Sequence, residues 1–183
     1  MSYTIPPPPP KPESKHVPIP PAFLTGPPPG GPVKAVPIPF ASSPIPEYDG
    51  RTALTIDNVL SREECAQLIS LAESSVPPLE SPDGSADSSP WRPALVRLAP
   101  GVEIPSRPGY RESGRILWYS QDVVDRIWER CAQAEGLAEQ LAVVPQQHGK
   151  VRLGEWHFRR VNDRMSFLRY AVGQYFKRKE APS

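Results

Sequence analysis

The chain of 183 residues suits one domain with an appendage, and a formal charge of +1 selects no class of partner. No apolar run approaches the roughly 18 residues of a membrane-spanning helix, and no basic segment followed by an apolar core opens the chain, so the sequence argues against a membrane span and a secretory leader. Two cysteines, Cys65 and Cys131, are too few for a disulfide framework; both fall on apolar stripes of predicted helices, which points to buried free thiols and a cytoplasmic or nuclear location.

Composition divides the chain. Of its 27 prolines, 17 lie at or before Pro46. Proline lacks an amide proton and fixes its own φ, so residues 1–49 are expected to form a disordered, extended tail without a core. A short unit recurs there: Val17-Pro18-Ile19-Pro20, Val36-Pro37-Ile38-Pro39 and Ser43-Pro44-Ile45-Pro46. Pro6, Pro9 and Lys11 fit a PxxPxK pattern that an SH3- or WW-type module can grip. So proline-rich a segment matches such patterns by chance, and a passive spacer is the preferred reading.

Past Asp49 folding signals begin. Ala53 to Ile56 predicts a strand. Ser61 and Glu64 have the spacing of a reciprocal capping box, with Leu60 and Cys65 at the positions of the accompanying hydrophobic contact. Cys65, Leu68, Ile69 and Ala72 recur at helical spacing, and Pro77-Pro78 closes that helix. Residues 79–93 predict a loop. Ala94 to Leu98 predicts a strand, Ile104 to Gly114 an irregular stretch, and Ile116 to Tyr119 another strand. Ser120 can cap a second helix with Val124, Ile127, Trp128 and Cys131 inward, Gly136 interrupting it before Leu137 and Leu141. From Val151 to Phe176 the aromatic and β-branched residues predict two strands around Asn162-Asp163, with Phe167 to Tyr170 the core of the second.

Two other constellations carry weaker signals. Glu155 and His157 point to one side of a strand and, with His148, could supply a metal with two imidazoles and a carboxylate; a solvated polar face is the preferred reading. Lysines and arginines between Lys150 and Lys179 interleave with Trp156, Phe158, Phe167 and Tyr170, as on a nucleic-acid surface. Those aromatics alternate as core residues do, so an exposed basic face is preferred to nucleic-acid binding.

Three pieces together resemble the Fe(II)- and 2-oxoglutarate-dependent dioxygenase domains of the prolyl 4-hydroxylase alpha-subunit type. They are Asn58 to Cys65, Tyr110-Arg111 through Ile127-Trp128-Glu129-Arg130, and Leu168-Arg169-Tyr170-Ala171-Val172-Gly173-Gln174-Tyr175-Phe176-Lys177. The resemblance implies an α+β fold over residues 50–177: an incomplete double-stranded β-helix (jelly roll) with two N-terminal support helices, after the proline-rich tail of residues 1–49. It implies Tyr170 as a contact of the co-substrate carboxylate and Arg111 as a residue bordering the substrate cleft.

In that family the third piece leads into a Pro-His-x-Asp motif, and two histidines and a carboxylate hold Fe(II) on one face, leaving positions for 2-oxoglutarate and oxygen. Here Lys179 stands where the first histidine is expected and Ala181 where the aspartate is expected. An ammonium and a methyl group offer iron no donor. The agreement breaks at Arg178-Lys179-Glu180, as it would where an exon ending in C is read into an intron beginning GTAAG, and residues 178–183 are read as a divergent end. The resemblance thus implies a truncated, inactive relative of an oxidoreductase that hydroxylates a protein substrate with Fe(II), 2-oxoglutarate and L-ascorbate. No such cofactor is expected to bind this chain tightly. The competing reading is a proline-rich interaction or scaffold protein without catalysis.

Overall fold

The computed structural model describes residues 14–77, 79–80, 86–87, 89–99, 102–105, 109–143 and 157–177. Eleven strands and three α-helices follow one another there. The first part holds β1 (Lys34–Pro37), β2 (Leu54–Asp57), α1 (Arg62–Ser74), β3 (Leu79–Glu80) and β4 (Ala86–Asp87). Then come β5 (Arg92–Pro93), β6 (Leu95–Ala99), β7 (Val102–Pro105), β8 (Arg111–Glu112) and β9 (Gly114–Tyr119). Helices α2 (Gln121–Cys131) and α3 (Leu137–Ala142) precede β10 (Arg164–Arg169) and β11 (Tyr175–Phe176). All strand pairs are antiparallel, the largest sheet has three strands, and no sheet closes into a barrel among the described residues.

Two units divide the chain, one of residues 1–18, 68–119 and 164–183, the other of residues 19–67 and 120–163. In the first, β9 lies between β10 and β5. The register runs unbroken from Arg164 opposite Tyr119 to Arg169 opposite Gly114. Alternation along β9 buries Ile116 and Trp118, as expected of a strand with one covered face. The stretch expected to be irregular, Ile104 to Gly114, instead contributes to β7, β8 and β9, because β8 finds a distant partner in β11.

The second strand expected around Asn162-Asp163 is β10. It pairs with β9, and the expected first strand falls largely on residues 151–156, outside the described ones. Phe167 to Arg169 lie within that strand, and Tyr170 falls just past its end. Strand β10 is a sheet edge with one exposed face: Phe167 is half-buried, whereas Leu168 and Tyr170 are exposed.

In the second unit, Val33, Ala134 and Leu137 are buried, with Leu54, Ile56, Val59, Trp128, Cys131 and Leu141 packed against them. Burial raises the pKa of the Cys131 thiol above its ordinary value, as befits an inert thiol. Cys65 corrects the expectation made for it: it is exposed. Its helix turns the neighbouring Glu64 inward, where Arg130 of α2 holds both carboxylate oxygens at 2.7 and 2.8 Å. The capping box forms as read, the Ser61 amide donating to Glu64 Oε2 and the Glu64 amide to Ser61 Oγ.

The described part of the proline-rich segment also differs from a core-free tail. Phe23, Leu24 and Val33 are 3 to 5% exposed, and Lys34–Pro37 is a strand on β2. Two physical reasons account for this. Proline removes a donor but keeps its carbonyl, and α2 supplies the missing donors. Arg126 donates to the carbonyls of Pro20, Pro21 and Phe23, and Arg130 to that of Gly26. The Val-Pro-Ile-Pro unit also suits an edge strand. Ile38 donates its amide to Ala53, so alternation turns the position of Pro37 outward, where no donor is needed. The PxxPxK residues Pro6, Pro9 and Lys11 lie outside the described residues.

Candidate functional site

Within the first unit, a cavity of about 400 Å³ opens where β8, β9 and the C-terminal end of β10 meet the segment before β6. Its wall begins with a missing side chain. Gly114 sits opposite Arg169 in the β9–β10 ladder, and a Cβ at Gly114 would stand 3.0 Å from Cβ of Trp91. Glycine there lets the indole lie close against the strand. Trp91 is held by its ring N–H, which donates to Glu73 Oε1 at 2.7 Å, and the Arg169 guanidinium lies 4.8 Å from its ring centroid. That distance fits a cation–π contact.

The opposite wall comes from β8 and the turn before β11. Arg111 donates from Nε to the hydroxyl of buried Ser113, and its guanidinium lies 5.0 Å from the Phe176 ring. Gln174 closes a turn by donating its amide to the Ala171 carbonyl, with Gly173 at φ +87° in the third position. A type II turn needs that left-handed residue, which is what the Gly-Gln pair in the sequence supplies. The Gln174 side chain folds back so that Oε1 accepts the Ala171 amide, which leaves its NH₂ end as donor. Arg111, Arg169 and Gln174 are thus donors on one cavity, with exposed Glu112 the one carboxylate in its lining.

The sequence-derived candidates fare differently. Arg111 lines the cavity. Tyr170, just past the end of β10, is 42% exposed and is not among the lining residues, whereas its neighbour Arg169 is. Sequence reasoning missed Arg169, Gln174 and Trp91. Gln174 belongs to the quoted Gly-Gln pair, so its signal was present. Trp91 sits in a segment without periodicity, and nothing local marks it. Of the metal alternative, His157 is described and bridges to Val143 in a single strand pair, while His148 and Glu155 lie outside the described residues.

Among the described residues no three His, Cys, Asp or Glu side chains gather as metal ligands, and Lys179 and Ala181, where the resemblance would place ligands, carry an ammonium and a methyl group. The cavity donors are cationic or amide N–H groups, which suit anions and repel metal ions. No helix among the described residues is long and apolar enough to cross a membrane. No family model, curated protein or solved structure matches the chain.

Proposed function

We propose that the chain carries the front part of an Fe(II)- and 2-oxoglutarate-dependent oxygenase domain of the prolyl 4-hydroxylase type, and that it does not itself activate oxygen. What supports this reading is the pairing of the pieces that carry the resemblance. The piece from Tyr110 and the piece from Leu168 are far apart in sequence, yet Leu168 and Arg169 pair with Arg115 and Gly114 at the end of the β9–β10 ladder, and β8 pairs with β11. Such a sheet is a fitting start for a double-stranded β-helix. In the full relatives the reaction hydroxylates a prolyl or similar residue of a protein while 2-oxoglutarate is decarboxylated, with ascorbate as reductant. No step of that reaction is assigned to this chain, since Lys179 and Ala181 provide no iron donor.

Two measurements test the reading separately. Purified chain with Fe(II), 2-oxoglutarate, ascorbate and prolyl peptides should release no succinate above a metal-free control. Stoichiometric, chelator-sensitive succinate release overturns the inactive part of the proposal. Genomic sequence beyond the Lys177 codon should contain a His-x-Asp reading frame, and a locus without one overturns the family part.

A further inference from the structure

We propose that the cavity between Trp91, Arg111, Arg169 and Gln174 binds a carboxylate group, carried by a small organic acid or by the acidic side chain of a peptide. This goes beyond the oxygenase reading and does not depend on it, because the binding requires no metal. Three features on the cavity wall converge on that chemistry. First, two guanidinium groups line it, and neither is spent on a carboxylate among the described residues: Arg111 uses Nε on the Ser113 hydroxyl, and Arg169 rests on the Trp91 ring. A ring face engages the charge of a guanidinium without consuming its N–H donors, so the planar fork stays available for the two oxygens of a carboxylate.

Second, Gln174 accepts with Oε1 from the Ala171 amide and so turns a donor, its NH₂ group, to any ligand. Acceptors are therefore what the site seeks. Third, the arginines are held in place before a ligand arrives. Phe176, which carries the Arg111 guanidinium, is itself packed edge-on against Tyr110 at 5.6 Å, and Trp91 is tied to Glu73. Side chains fixed in this way lose little freedom on binding.

The charge balance chooses among anions. Two arginines against Glu112 leave one net positive charge in the lining, which matches a single carboxylate. A phosphate dianion would meet Glu112 with excess negative charge. The indole of Trp91 and the rings of Pro93 and Ala94's methyl group give the stem of the acid an apolar wall.

Calorimetric titration of the full chain decides the matter, with four probes: butyrate, a capped aspartyl peptide, its asparaginyl counterpart and inorganic phosphate. Butyrate or the aspartyl peptide should bind saturably, with the asparaginyl peptide and phosphate at least about tenfold weaker. Saturation by butyrate alone identifies a small acid as the source, and saturation by the aspartyl peptide alone identifies a peptide; both support the proposal. Arg111→Gln and Arg169→Gln should each weaken the carboxylate about tenfold or more, as loss of a charge-assisted bond entails. Glu112→Gln, at an exposed position, should tighten it severalfold and serves where an arginine variant misfolds. Absence of carboxylate binding overturns the proposal. So does phosphate binding of equal strength, affinity unchanged in folded arginine variants, or affinity not increased by Glu112→Gln.

Discussion

Arg130 grips Glu64 across 66 residues of sequence, Nη1 and Nη2 meeting the two carboxylate oxygens at 2.8 and 2.7 Å. The arginine side chain is 3% exposed and the glutamate 23%. Arg130 also donates to the carbonyls of Val59 and Gly26, so one guanidinium ties α2 to α1, to the turn that precedes α1 and to the proline-rich segment. Removing the carboxylate strands a buried charge. Glu64→Ala should therefore cost about 3–5 kcal/mol of unfolding free energy, whereas Glu64→Leu with Arg130→Met together should recover much of the loss, since neither charge is then buried. Urea unfolding of the three proteins checks this. A double variant no more stable than Glu64→Ala would show that the carbonyl contacts of Arg130, and not its charge, set the cost.

The same pair fixes a pH dependence. Hydrogen bonds from Arg130 hold the Glu64 carboxyl below its ordinary 4.5, burial opposing them without prevailing. In the unfolded chain the partner is gone and the carboxyl returns to its ordinary value, so between the two values the unfolded state binds more protons. The contribution is fully present above pH 4.5 and is lost as the pH falls through the lower folded-state value. Denaturation midpoints of the wild type and Glu64→Gln should thus lie furthest apart near neutrality and converge in acid. A separation that stays constant with pH would remove Glu64 as its source.

Arg126 makes the proline-rich segment part of the fold. Its Nη1 group serves three carbonyls, at 2.6 to 3.3 Å, while Asp122 one turn back holds Nε and Nη2. Arg126→Ala should leave α2 intact and release the chain around Phe23 and Leu24. Limited proteolysis should then cut near Phe23 faster than in the wild type, with helical circular dichroism unchanged. Arg126→Lys should resemble the alanine variant, because a single ammonium lacks the fork that spans both Asp122 and the carbonyls. Equal cleavage rates in all three proteins would mean that burial of Phe23 alone holds the segment.

These contacts explain which features the sequence discloses. Ser61 and Glu64 are three residues apart, and their reciprocal bonds follow from that spacing alone. Ser120 likewise caps α2, and Gly136 divides it from α3 at φ +72°. The order within the proline-rich segment depends on arginines more than 100 residues away, and no local pattern announces them. Cys65 misleads for the same reason. Helical spacing allows either Cys65 or Glu64 on the covered side, and a distant arginine decides. At the cavity, Arg111 was found through resemblance, whereas Arg169 meets the cavity through its place opposite Gly114 of β9, a pairing that no local pattern announces.

Gly114 gives the sharpest test of the cavity wall. Its φ is not in the left-handed region, so alanine meets no backbone penalty there, and in a strand alanine normally gains about 0.5–1 kcal/mol over glycine. The opposing effect is contact. The new Cβ would meet the Trp91 Cβ at 3.0 Å and its ring at 3.5 Å, and Trp91 cannot step aside freely while its indole donates to Glu73 and carries Arg169. Overpacking of this kind costs about 1–3 kcal/mol, so the clash should outweigh the strand preference and Gly114→Ala should destabilise. A Trp91→Leu background keeps a Cβ at this position but loses the ties to Glu73 and Arg169, so residue 91 can step aside and the penalty should shrink, which a double-mutant cycle reads directly. A penalty of the same size in both backgrounds would mean that glycine at this position serves the β9 ladder, with no part in seating Trp91.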